Sequence, residues 1–229
     1  MNTNRTGRYY WLALLVTVTL VFVLHPPVAL ASTAAQLETQ LNGFNGSAVG
    51  GSGTLSASVT GVNEVTVAGS VTGATSTLAL DIDSGVTVKW QASYSGTSLF
   101  PGFGIGTPLI ELTNAGTFEI VTGGSVSDNG NDDTIRGDAN ARIIVGGGSV
   151  TNTNAEGTAI NGSNITVNGG TVTGSNHAII TYGSVTVNGG TVSAAGGFAI
   201  YMPGTNSNAV TINGGTVSTS GSGAQGRRI

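Results

Sequence analysis

Cysteine is absent from the 229 residues, so no disulfide braces the fold and stability must come from apolar burial and backbone pairing. Titratable groups are scarce: the chain holds seven Lys and Arg, eleven Asp and Glu, and two His. Two of the bases, Arg5 and Arg8, sit at the extreme N-terminus. The remaining five, Lys89, Arg136, Arg142, Arg227 and Arg228, face all eleven acids, a net charge of −6 from residue 32 onward. With no basic patch, nucleic acid and anionic lipid are excluded as expected partners. Aromatics are only 6% of the residues, which leaves valine and isoleucine as the material for a core. One long apolar run exists, residues 11–24 (WLALLVTVTLVFVL).

That run follows the two arginines and precedes His25-Pro26-Pro27 and the small-x-small triplet Ala29-Leu30-Ala31. It is short for a membrane span, which needs about 20 residues, and it has the layout of a secretory signal peptide. Residues 1–31 are therefore expected to be removed by a cut before Ser32. An exported protein is the consequence, secreted or held at a bacterial cell surface, with no membrane contact once the leader is gone.

What the chain does have is glycine, 38 residues of it, in a repeating frame. Aligned on a central valine, the copies are Val126 (GGSVS), Val150 (GGSVT), Val172 (GGTVT), Val192 (GGTVS) and Val217 (GGTVS), with steps of 24, 22, 20 and 25 residues. A second marker follows each of the first four valines within ten residues: Ile135, Ile160, Ile179 and Ile200. In VTVNGGTVS (185–193) the valines alternate with hydroxyl residues, a period of two, so each short strand turns its valines to one side. Asn188-Gly189-Gly190 is a turn between two such strands. Strands of three or four residues are not stable by themselves. Stacked coil upon coil at about 4.8 Å, they bury a continuous core. Leucine, which a leucine-rich repeat would demand, runs out after Leu112. The expected fold is all-β: a single-stranded parallel β-helix with coils of 20–25 residues.

The lines ITVNGGTVT (165–173), VTVNGGTVSAAGGFAIY (185–201) and VTINGGTVSTSG (210–221) resemble the Gly-Gly-Thr-Val-Ser repeats of large secreted bacterial surface proteins. Those are similar to pectate-lyase-like β-helices, so the resemblance, good over residues 116–223, implies a right-handed helix.

Around this core, residues 33–41 (TAAQLETQL) predict a short capping helix with Ser32 or Thr33 as its N-cap and Leu37 and Leu41 inward. The division expected is a cap over 32–53, the β-helix over 54–223 (most regular over 116–218), and a tail over 224–229. Residues 91–108, carrying Tyr94, Phe100 and Phe103, read as an insertion whose aromatics cover a coil.

Catalysis lacks its raw material. Beyond Asp138 the only acid is Glu156, and His177 is the only histidine after the leader. No catalytic residues are assigned, and the chain is expected not to be an enzyme. Two candidate sites remain. Residues 128–138 (DNGNDDTIRGD) gather Asp128, Asp132, Asp133 and Asp138. Part of this segment, NDDTIRG, resembles one copy of a calcium-binding nonapeptide repeat. Calcium is the ion such a turn would take, and a solvated turn is the competing reading. The second candidate is a face. Ser149, Thr151, Thr171, Thr173, Thr191, Ser193, Thr216 and Ser218 occupy equivalent outward positions, as do Ser125 and Ser127. Stacked, they form two columns of hydroxyls. Exposed-strand chemistry alone explains threonine there; a sugar-binding face and an ice-binding face are the alternatives. A structural or adhesive surface segment is the leading expectation. A polysaccharide-binding module, with or without calcium, comes second, so the partners in view are an extracellular polysaccharide and a host or neighbouring cell surface.

If the leader is cut as expected, intact-mass analysis of the exported protein will place its first residue at Ser32. A product retaining the apolar run would overturn that reading.

Overall fold

The computed structural model describes residues 32–102, 106–203 and 209–221. The expected leader, Phe103 and the expected tail lie outside the described residues. No helix among them is long and apolar enough to cross a membrane.

The chain winds into a parallel β-solenoid of about six turns, each coil contributing to three sheets. The period-two patterns explain the inward faces. In the first sheet Val65, Val88, Phe118, Ile143, Ile165, Val185 and Val210 stack in register, and two residues on Val67, Trp90, Ile120, Val145, Val167, Val187 and Ile212 do the same. The second sheet stacks Tyr94 on Val126, Val150, Val172, Val192 and Val217. The third stacks Leu78, Ile110, Ile135, Ile160, Ile179 and Ile200. Both sequence markers thus name a ladder: the valines of the repeat line the second sheet and the isoleucines the third. Aromatics fill the wider early coils, where the Trp90 and Phe118 rings lie 5.4 Å apart. Later coils close on valine and isoleucine alone.

The corner between the first and second sheets is the Asn-Gly-Gly turn. Gly170, Gly190 and Gly215 have φ of 69°, 75° and 80°, a conformation costly for any residue with a Cβ. The backbone of the preceding coil would also lie within 2.7 Å of a Cβ at each. Asparagines brace this corner: Asn188 Nδ2 donates to Asn168 Oδ1 and Asn213 Nδ2 to Asn188 Oδ1, both at 2.8 Å.

The N-terminal cap is larger than the sequence predicts. Helix α1 (Ala34–Asn42) carries a capping box between Thr33 and Gln36 and buries Leu37 and Leu41. Strand β1 (Ser52–Gly61) pairs antiparallel with β2 (Glu64–Ala74). Residues 54–61, expected to open the first coil, therefore belong to the cap. The reason is edge chemistry: β2 is the first strand of two sheets, and an unpaired parallel edge invites foreign chains. The outer edge of β1 is occupied in turn by side chains. Asn42 bonds both the N–H and the carbonyl of Ala57 at 2.7 Å, and Glu38 accepts from the Val59 N–H.

Two local expectations change. Tyr94 is fully buried within the second sheet, whereas Phe100 is 40% exposed and does not serve as cover. Lys89, expected near Asp81 and Asp83, instead pairs with Glu64 at 2.7 Å, because the two face outward on neighbouring strands of the first sheet.

Ile160→Ala, at the centre of the isoleucine ladder, is expected to lower stability by about 2–5 kcal/mol. The outward Thr166→Ala should stay within about 0.5 kcal/mol. Urea denaturation of the two variants measures both.

Candidate functional site

The hydroxyl columns form as two unbroken lines on the outward face of the second sheet. One runs Ser125, Ser149, Thr171, Thr191, Thr216 and the other Ser127, Thr151, Thr173, Ser193, Ser218. Each extends one coil further toward the N-terminus than the repeat indicated, to Ser93 and Ser95. Those two escaped notice because their coil has Tyr94 where the others have valine and no glycine pair before it. Serine–tyrosine–serine still follows the same alternation, which was the available signal.

Inward packing fixes this face. Each central valine is buried to 1% exposure or less from Val126 to Val192, so its neighbours on both sides must point out. The result is a lattice of hydroxyls about 4.8 Å apart between coils and about 7 Å apart along each strand. Bonds within the lattice are few: Ser125 donates to Ser93 at 3.3 Å, and Thr173 and Ser193 lie 3.4 Å apart. The face carries no charged residue. It can offer hydroxyl donors and acceptors to a repeating neutral partner. It holds no nucleophile paired with a base.

The acidic segment folds otherwise than either sequence reading supposed. Asp128 is the fourth residue of its strand and continues an inward column between Gly96 and Asn152. It is 1% exposed. Its carboxylate accepts from the Ser98 and Gly130 N–H groups at 2.9 and 2.8 Å, and from Asn152 Nδ2 at 3.2 Å. Asn152 donates also to the Asp132 carbonyl. Asp132 and Asp133 lie beside this knot and share one cation: Arg136 reaches Asp132 Oδ1 at 2.6 Å and Asp133 Oδ2 at 2.7 Å, and donates a third bond to the Gly106 carbonyl. Asp138 stands apart, in the corner between the third and first sheets. There it accepts from the N–H groups of Asn114, Asn140 and Ala141. The four aspartates proposed as one calcium cage are thus divided between two corners, and the corner holding three of them is buried rather than solvated. Among the described residues, no group of three or more His, Cys, Asp or Glu is placed to hold a metal ion.

Burial leaves an electrostatic mark on this corner. It pushes the Asp128 carboxyl above its ordinary value of 3.8, ahead of the hydrogen bonds that act in the opposite direction. Burial likewise raises Asp133, against the pull of Arg136. On Arg136, burial works against the charge, but the attraction of Asp133 and Asp132 outweighs it and the guanidinium is held more firmly protonated. The aspartates of this segment thus serve to tie one coil to the next, as an uncharged polar network would.

A native pKa raised above the unfolded one means that the folded state binds protons more readily. The stability contributed is full below pH 3.8 and is lost as the pH climbs through the raised native pKa of Asp128. Urea midpoints measured from pH 3.5 to 7 are therefore expected to include a component that falls with rising pH. That component should disappear in Asp128→Asn, and an unchanged slope in the variant would refute the assignment.

Comparison with protein-family models, curated proteins and solved structures finds no match for the chain, so what these surfaces can do rests on their geometry.

Proposed function

We propose that this protein is a non-enzymatic β-solenoid exported to a bacterial cell surface, where it serves as a structural and adhesive segment of the Gly-Gly-Thr-Val-Ser repeat type. The observation that carries the reading is the continuity of the two hydroxyl columns beside a core of uninterrupted ladders. A regular, uncharged face on a stiff rod suits repeated weak contacts with another surface. The acids, which a polysaccharide-cleaving enzyme would set in a cleft, are bound up in coil-to-coil hydrogen bonds and ion pairs. Export is supported by the leader-like N-terminus and by a core that needs no disulfide.

The second reading is a polysaccharide-binding module that uses the same face. It is favoured by one specific observation: most hydroxyls of the columns have no partner side chain within the lattice, leaving them available to a ligand's hydroxyls.

Two measurements decide between these readings. Antibody against the chain should label intact producing cells or the culture medium. Recovery in the cytosol with the leader uncut would sink the surface role. A glycan array, run with and without calcium, addresses the second reading. Binding weakened at least about tenfold by Thr171→Val with Thr191→Val would support it, and silence on the array would remove it.

A further inference from the structure

The third sheet ends in a feature that neither the core nor the hydroxyl face uses. His177 opens the strand His177–Val187, and Phe198 and Tyr201 lie one coil further on. Their rings form a mutual cluster: His177 to Phe198 5.5 Å, His177 to Tyr201 5.0 Å and Phe198 to Tyr201 5.3 Å, with planes within 16° of parallel. Register explains the arrangement. Ile179 pairs with Ile200 on the inward side, so Ile180 and Tyr201 must stand next to each other on the outward side. Tyr201 is 37% exposed. The same outward ladder continues to Asn161.

His177 behaves as a neutral ring. Its Nδ1 accepts the Phe198 N–H at 3.0 Å, which places its own hydrogen on Nε2. Burial holds its pKa below the ordinary 6.5. Stacked aromatics are a poor choice for simple cover on a chain with so few of them. Core needs are already met beneath by Ile179, which is fully buried.

We infer that His177, Phe198 and Tyr201 form a binding strip for neutral sugar rings. The chemistry selects this occupant. Parallel rings offer flat apolar faces to a flat partner, whereas a quaternary ammonium ion calls for walls set around it. A nucleobase could stack, but its phosphates would meet a chain with a net charge of −6 from residue 32 onward and no basic patch to neutralise them. The neighbouring outward residue Asn161 and the Tyr201 hydroxyl are uncharged donors and acceptors suited to a ring's hydroxyl edge. A hexose unit without charge has both parts: an apolar face for the rings and hydroxyls for the rim. This site lies on a different sheet from the hydroxyl columns and does not depend on them.

The test uses the full chain and four neutral probes: cellohexaose, laminarihexaose, mannohexaose and xylohexaose. At least one is expected to shift the ring resonances of His177 in NMR titration. Tyr201→Ala should weaken that binding at least about tenfold, and Tyr201→Phe, which keeps the ring, should leave it within about threefold. The pair Thr171→Val with Thr191→Val should leave it unchanged, which separates this strip from the hydroxyl face. Circular dichroism confirms that each variant is folded. The inference fails if none of the four probes moves His177, or if Tyr201→Ala binds as tightly as the parent. Self-association lost in Tyr201→Ala, with no probe bound, would overturn it in favour of a second copy of this chain.

Discussion

Parallel pairing of each coil with the one before it is the constraint on which everything else rests. Each strand is three or four residues long in the later coils, too short to persist alone. It acquires stability only by donating to the coil below and accepting from the coil above. That pairing also fixes register: a slip of one residue would turn Val172 or Val192 outward and its flanking threonine and serine inward. Once the valines are held, the hydroxyl columns, the isoleucine ladder and the asparagine brace all follow. None of these is a separate achievement of the sequence.

A solenoid built this way must solve two problems that ladders cannot. One is its open edge. The first strands of the stack would template foreign chains, and the cap answers with an antiparallel strand whose own outer edge is filled by Asn42 and Glu38. The other is the variable corner, where coils differ in length. At the corner between the second and third sheets, Asp128, Asn152, Thr134 and Arg136 replace apolar packing with hydrogen bonds that span from one coil to the next. Burying these groups is tolerable because nearly every one is paired. The Oδ2 atom of Asp132 is an exception, buried without a hydrogen-bond partner.

These demands leave little freedom for chemistry. Side chains turned inward are locked, corners are engaged, and only outward positions of the three sheets are free to meet a partner. On the second sheet those positions are uniformly small and hydroxylated. On the third they change along the stack, from the Glu111 and Arg136 pairing of the middle coils to Asn161, Ile180 and Tyr201 near the end. The faces of one rod can therefore differ in what they recognise while sharing a single core.

The repeat was legible because its physics is local and periodic. Alternation of valine with threonine, and glycine pairs at fixed intervals, determined the fold class, the coil length, the inward set and the outward hydroxyls. Alternation alone also predicted the helix at Leu37 and Leu41. Tertiary structure decided whatever depended on which residues meet across coils. β1 alternates like any coil strand, and only the need to close an edge made it antiparallel. The four aspartates of 128–138 are close in sequence, yet strand direction turned Asp128 into the core and the next corner carried Asp138 away. His177, Phe198 and Tyr201 are 24 residues apart from first to last, a separation with no local meaning. They meet because one full coil lies between His177 and Phe198, a distance set by corner lengths that no period in the sequence records.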